Sequence, residues 1–389
     1  MDELKEKLLR FVKEGSIRIN EKELYELKQR YEKDTFLNAL SEVIAEHVNF
    51  PFKNYSQYEL LSDFNSLKNQ NVSVIKQPFI TRGEYKYPIS NLYIDSNSNG
   101  NIASNYFQQK NRYAVAHIDF SNSPLELWDD SKYVKSVLRS LYTMNMKYLD
   151  DDALLKLIKI NKYIASQFKP CVAKFIYDTF KSQDVLDFSS GWGDRLCGFY
   201  VSNAKSYFGI DPNTSVFKNY FKQIEFYEKF IHKEVHLENL PAEDVDLGDR
   251  MFDTVFTSPP YFKTERYCDE DTQSYKRYTE LDTWINKFLF TVLKNSWDHL
   301  KNNGYLILNI SDRIKYKWQI CDKMNDYISQ FPQSSYCGCI GLKMPKRPGS
   351  RMLSERNKDD VFGEPIWIWH KGNKTELNEI FKSQSIDEW

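Results

Sequence analysis

Apolar residues recur at helical spacing through the first fifty positions. Leu4, Leu8, Phe11 and Val12 share one face, and Gly15 stands where a helix C-cap belongs. Asn20 followed by Glu23 forms a capping box for a second helix carrying Leu24, Leu27 and Tyr31, and Phe36, Leu40, Ile44 and Val48 continue the stripe. The pattern predicts an N-terminal helical subdomain over residues 1–80. From about 54 to 111 the periodicity dissolves into Asn, Ser, Tyr and Lys, with the turn-rich IDSNSNGNI at 94–102, which reads as loop or short strand. Helical spacing returns over 124–180 through Trp128, Val134, Val137, Leu138, Leu141, Leu154, Leu157 and Ile158. Residues 81–160 are therefore an accessory region.

Beyond residue 183 the texture changes. DVLDF (184–188), SYFGID (206–211), VHL (235–237), FDTVFTS (252–258) and GYLILNIS (304–311) are short apolar runs separated by intervals long enough for helices. That alternation predicts a parallel α/β sheet over residues 161–372. SYCGCIGL (335–342) and PIWIWHK (365–371) are strand-like with no helix between them, so they should pair antiparallel at one edge. Residues 373–389 are expected to form a short C-terminal helix.

Charge narrows the choice of partner. Lys+Arg 53 against Asp+Glu 54 leaves a net charge of -1, so any contact with nucleic acid must come from a local patch. The chain is rich in aromatics at 15%, and its 14 glycines and 13 prolines are too few for a low-complexity or fibrous chain. No apolar run is long enough to cross a bilayer, and the N-terminus alternates charge with Leu where a signal peptide needs an apolar stretch. A cytoplasmic or nucleoid-associated protein is expected. The cysteines are dispersed, with one C-x-C, no C-x-x-C and no nearby histidine pair, which predicts buried thiols and no metal site.

Four strand ends carry candidate chemistry. The first strand runs through Asp187 into Ser189-Ser190-Gly191-Trp192-Gly193-Asp194 and then a helix, so a glycine turn brings backbone and helix N–H groups toward a ligand. The third glycine of the dinucleotide fingerprint is missing, since Leu196 stands there, which counts against NAD. The second strand ends in Asp211, placed to accept the ribose hydroxyls of an adenosine-containing cofactor, with a surface helix-capping Asp as the alternative. After the third strand, Ala242 offers an apolar wall and Glu243 an acid for an adenine ring and its amino group. At the end of the fourth, Ser258-Pro259-Pro260-Tyr261 combines a hydroxyl, a carbonyl exposed because proline lacks a donor, and an aromatic plate. Those groups can hold a planar amine while a methyl donor approaches in line.

D-x-x-x-G-x-G, then I-D-P-N, then S-P-P-Y resembles the S-adenosylmethionine-dependent DNA amino-methyltransferases, over roughly residues 160–372. The resemblance implies a Rossmann-like, mostly parallel seven-stranded sheet with an antiparallel edge strand, here with an N-terminal helical extension. It makes Ser258, Pro259, Pro260 and Tyr261 the catalytic tetrapeptide. S-adenosylmethionine would be held by Phe168 of Gln167-Phe168-Lys169-Pro170 and by Asp187, Gly191, Gly193 and Asp211, and Gly363-Glu364-Pro365 would open the last strand. Ser in the first tetrapeptide position leans the target toward cytosine N4 over adenine N6.

The implied partner is DNA, with the target base extruded onto Tyr261 and Phe262, in the setting of site-specific or restriction-linked methylation. From 343 to 358, Lys343, Lys346, Arg347, Arg351, Arg356 and Lys358 face only Glu355, an excess of five positive charges that suits phosphates or a solvated hairpin. Glu265–Tyr278 is either a cover over the target or a plain connection, and Arg82, Asn105, Phe107, Arg112 and Tyr113 are weaker candidates for target recognition. A cytosine-C5 enzyme would need Pro-Cys in the fourth loop, whereas the Pro170-Cys171 pair precedes the glycine turn. Enzymes methylating RNA guanine N2 or protein glutamine, and a non-catalytic nucleic-acid-binding module, are the alternatives; the oligomeric state stays open.

Overall fold

The structure, a computed structural model, describes residues 2–69, 72–119, 122–345, 361–382 and 385–386. The chain forms two compact units: residues 1–56, 109–166 and 265–268 make one, and residues 57–108, 167–264 and 269–389 the other. Residues 57–80, expected with the N-terminal helices, thus lie in the second unit, and 81–160 is shared out between the two.

The first unit is helical. Helices Asp2–Leu9, Glu21–Arg30, Lys33–His47, Ser131–Leu138 and Asp151–Asn161 bury Leu4, Leu8, Leu24, Leu27, Phe36, Leu40, Ile44, Val137, Leu154 and Ile158 in one core. The capping box forms: Asn20 Oδ1 accepts the Glu23 N–H at 2.9 Å, and the Asn20 N–H donates back to Glu23 Oε2 at 3.2 Å. The first helix, however, stops at Leu9. Val12–Lys13 pairs with Ser16–Ile17 through a two-residue turn in which Glu14 and Gly15 both have positive φ, at 51° and 76°. Gly15 therefore serves a tight hairpin, not a helix end. Of the weaker recognition candidates, Tyr113 is buried with its ring 5.0 Å from that of Phe50, and the Arg112 guanidinium donates to the Ala165 carbonyl at 2.9 Å. Both serve the unit's own packing. Glu265–Arg266, just past the tetrapeptide, pairs antiparallel with Ala116–His117 within this unit.

The second unit is built on one sheet, ten-stranded among the described residues. Its strands in chain order are β1 Ser73–Lys76, β2 Ile89–Asp95, β3 Asp184–Asp187, β4 Ser206–Ile210, β5 Glu234–Glu238, β6 Phe252–Thr257, β7 Leu300–Asn309, β8 Ser334–Lys343, β9 Gly363–Lys371 and β10 Ser385–Ile386. Across the sheet they run β10-β1-β2-β8-β9-β7-β6-β3-β4-β5. All seven expected strands are present, and β3 to β7 are parallel to one another. Helices Asp194–Val201 and Thr214–Glu228 make the crossovers among β3, β4 and β5. The stretch Leu281–Asp298 joins β6 to β7 and buries Trp284, Phe288 and Trp297 against the sheet.

The antiparallel strand β9 lies inside the sheet, between β7 and β8, rather than at an edge. The sheet continues past β8 because β2 pairs with it in parallel, followed by β1 and β10. β10 comes from the C-terminal segment, and β1 and β2 come from the Asn/Ser/Lys/Tyr-rich stretch, where the apolar signals are short, Val74-Ile75 and Leu92-Tyr93-Ile94. The same stretch also contributes helix Gln57–Lys68, whose Leu60, Phe64 and Leu67 are buried. Among the described residues no helix is long and apolar enough to cross a membrane.

Candidate active site

The strand order reverses between β3 and β6, and an open α/β sheet binds ligands at such a switch point, outside the carboxyl ends of its strands. Register sets the geometry there. Leu186 of β3 lies beside Val255 of β6, and Leu308 of β7 beside Thr257, so the glycine turn, the tetrapeptide and the segment after Asn309 leave the sheet as neighbours. On the other side Asp187 lies beside Gly209 and Ile210 beside Glu238, which brings Asp211 and the Ala242–Asp244 turn to the same edge.

The glycine turn is built for backbone approach. Gly191 and Gly193 hold φ of 58° and 73°, where a side chain is strained. A Cβ on Gly191 would meet nothing nearer than the Ser189 carbonyl, at an ordinary contact distance of 3.8 Å, so the turn is uncrowded there. Asp211 fastens the turn: its Oδ2 accepts the Gly191 N–H at 2.8 Å and its Oδ1 the Asn213 N–H at 2.9 Å. Burial pushes the Asp211 carboxyl up to about 6, against the opposing pull of these two donors.

Asp187 sits differently from the expectation. It is fully buried, and Arg195 Nε and Nη2 donate to its two oxygens at 2.8 and 3.1 Å, while the Tyr207 hydroxyl donates at 2.7 Å. Its carboxylate is engaged by the protein beneath the turn, and Arg195 also donates to the Ser189 carbonyl. Asp187 is thus a positioning residue for the loop. Phe168 lies over this pair, its ring 5.6 Å from the Arg195 guanidinium carbon. The preceding Gln167 is held by the Asn101 carbonyl and Asp194 Oδ1, both at 2.8 Å.

At the far side, Ala242 is buried, and the Glu243 side chain is only 3% exposed. Glu243 Oε1 pairs with Arg277 at 2.6 Å, while Oε2 is buried with no hydrogen-bond partner among the described residues. Burial raises this carboxyl above its ordinary value.

In the tetrapeptide, Ser258 Oγ donates to the Asn309 carbonyl at 2.9 Å, which turns the oxygen's lone pairs away from that contact and leaves them to accept. The Tyr261 hydroxyl donates to Glu364 Oε1 at 2.9 Å, and burial together with that carboxylate holds the phenol well above its ordinary value. One face of the Tyr261 ring is covered: the Arg313 guanidinium carbon lies 4.4 Å from its centroid. Phe262 is not a second stacking plate. It is 4% exposed and packs on Trp284 and Trp318, at a strained φ of 53° that turns the chain out of the loop.

Asn309, Ser311, Arg313 and Glu364 are the site residues that sequence reasoning missed. The available signal was the polar N-x-S-D-R directly after the apolar run of β7. Thr257 Oγ1 and Ser311 Oγ, flanking the tetrapeptide and Asn309, are buried without a hydrogen-bond partner among the described residues. Of the basic loop, Lys343 is described, and its ammonium pairs with Asp95 at 2.7 Å. Lys346, Arg347, Arg351 and Arg356 lie outside the described residues.

No protein-family profile and no curated protein matches the chain. Solved structures similar to it include TrmN from Thermus thermophilus, at 10% identity and a TM-score of 0.35 over 52% of this chain. The match spans about half, 49%, of TrmN's own length. The tRNA (m1A58) methyltransferase TrmI from Aquifex aeolicus matches at 13% identity and a TM-score of 0.34, over 54% of this chain and 72% of its own. A methyltransferase from Pyrococcus furiosus matches at 14% and 0.36, over 62% and 100%. Likeness at this level adds nothing to the strand order, on which the α/β assignment stands.

Proposed function

We propose that the second unit is an S-adenosylmethionine-dependent amino-methyltransferase acting on DNA, with cytosine N4 favoured over adenine N6. The observation that carries the reading is one of register: a proline-stiffened acceptor loop leaves β6 directly beside a glycine turn that is fastened to an acidic residue at the tip of β4. The residues present fit the cofactor. Asp211 keeps a lone pair on each oxygen for ribose hydroxyls, the uncrowded side of Gly191 suits the methionine portion, and Glu243 Oε2, without a hydrogen-bond partner among the described residues, suits the adenine amino group. S-adenosylmethionine supplies a methyl group made electrophilic by its sulfonium.

The chain's own residues then handle the amine. Ser258 Oγ, its proton parked on the Asn309 carbonyl, and the Pro259 carbonyl accept the two amine hydrogens and so direct the nitrogen lone pair. Tyr261, fixed at its hydroxyl by Glu364 and covered on one face by Arg313, is the plate for the ring bearing the amine.

The test is a product assay. The protein is incubated with methyl-labelled S-adenosylmethionine and duplex DNA, single-stranded DNA or RNA, and the nucleosides are weighed after digestion. N4-methylcytosine or N6-methyladenine from DNA is expected; Ser258→Ala should lose at least about a hundredfold in turnover and keep its cofactor affinity. Methyl label found only in RNA guanine or in protein would overturn the DNA reading.

The Asp211 carboxyl adds a pH signature. Ribose hydroxyls need the ionised form, so with a free-protein value of about 6 cofactor affinity should fall about tenfold from pH 7 to pH 5. Calorimetric titration at both values checks it. The effect on folding has the opposite sign: the folded state holds this proton more tightly than a carboxyl of ordinary value 3.8, so that contribution to stability is lost as pH rises from about 4 through 6.

A further inference from the structure

We propose that the hairpin Asp312–Trp318 is a wedge that enters a nucleic-acid duplex beside the target base. Ile314 fills the space left by the extruded base, and Lys315 and Lys317 lie against phosphates. This rests on the amino-methyltransferase reading above.

The hairpin is stapled at its root. Asp312 is buried, and its Oδ1 accepts the N–H groups of Ile320 and Cys321 at 2.8 and 2.9 Å. Arg313 and Trp318 exchange backbone hydrogen bonds of 3.1 and 3.2 Å, closing a loop of four residues in which Lys317 takes a φ of 58°. The root is also tied to the acceptor loop. Arg313 covers Tyr261, and Trp318 packs edge-on against Phe262 with centroids 4.9 Å apart. Tyr316 lies 4.9 Å from Trp318 and stiffens the same side.

The tip carries the opposite character. Ile314 is 50% exposed, between Arg313 and the exposed Lys315 and Lys317, while Asp312 at the root is buried and accepts two N–H groups. A single exposed aliphatic residue is ordinary. This one sits on a hairpin closed by two backbone hydrogen bonds, next in sequence to the arginine that caps Tyr261, with cations on both sides; its Cδ1 end lies by Gly83 and half of its surface is exposed. Extruding a base breaks its stacking on both neighbours, and an apolar side chain placed in the gap restores contact to them. Lysines flanking such a wedge release counterions from the backbone and hold the register. A stacked, polyanionic duplex is the partner that uses both features together.

The test compares three substrates: a matched duplex, the same strand alone, and a duplex with the target base opposite an abasic site. Ile314→Ala should slow methylation of the matched duplex about tenfold and leave the single strand unchanged, and the abasic duplex should restore the rate to within about twofold. Ile314→Leu should retain activity on all three. Lys315→Ala combined with Lys317→Ala should lower the slope of log affinity against log salt by about two for the duplex. Equal losses on all three substrates, or none on the matched duplex, would overturn the wedge. So would a wild-type protein that methylates only single strands, although the methyltransferase reading would then stand. A wild-type protein that methylates no nucleic acid would overturn that reading, and the wedge with it.

Discussion

Asp211→Ala should weaken S-adenosylmethionine binding by at least about a hundredfold. Two ribose hydroxyls donating to an ionised carboxylate are worth about 1.5–3 kcal/mol each, and every 1.4 kcal/mol is about tenfold in affinity. The substitution also releases the N–H groups of Gly191 and Asn213, which the carboxylate gathers at 2.8 and 2.9 Å, so the turn loses its fastening as well. Asp211→Asn separates the two effects. The amide keeps one acceptor oxygen for the turn but carries no charge, so affinity should drop by less and lose its dependence on pH between 5 and 7. Calorimetric titration of both variants is the measurement. An alanine variant that binds within about threefold of wild type would remove Asp211 from the cofactor site.

Arg195→Met should destabilise the second unit by about 3–5 kcal/mol, read from its unfolding transition in urea. Arg195 is 4% exposed, and its guanidinium closes a two-point contact on a carboxylate with no exposure at all. Removing it strands the Asp187 charge, with the Tyr207 hydroxyl and the Ser189 N–H, among the described residues, still donating to it. Breaking a buried pair from one side is costly because an uncompensated charge remains, while replacing both partners by apolar groups removes the charge altogether. The double variant Asp187→Leu/Arg195→Met should therefore be more stable than Arg195→Met alone. If the single variant unfolds at the same urea concentration as wild type, the pair contributes nothing to holding the glycine turn.

Much of the site was legible because its parts are local. Gly191 and Gly193 follow a strand and precede a helix, and the Pro259-Pro260 pair ends another strand; each constraint acts within a few bonds of the residues that announce it. The parts that were not legible depend on neighbours far along the chain. Asn309 and Glu364 reach the tetrapeptide only because β7 and β9 pair beside β6, separations of 51 and 103 residues. Asp187 reads as a ligand-facing acid until Arg195 and Tyr207 are seen to consume it. Phe262 reads as a stacking plate until Trp284 and Trp318 enclose it. Gly15 reads as a helix cap because a positive φ serves a hairpin equally well.

By itself the sequence determined the alternation of strand and helix after residue 183 and the chain order of glycine turn, strand-tip acid and acceptor loop, since periodicity and backbone restriction are written in neighbouring residues. The tertiary structure alone decided which acids are spent on the protein and which stay open, which aromatic face is covered, and that the sheet runs on past β8. Those outcomes follow from sheet register and burial, which pair groups remote in sequence, and a charge or a ring is free to act only where no such partner has already claimed it.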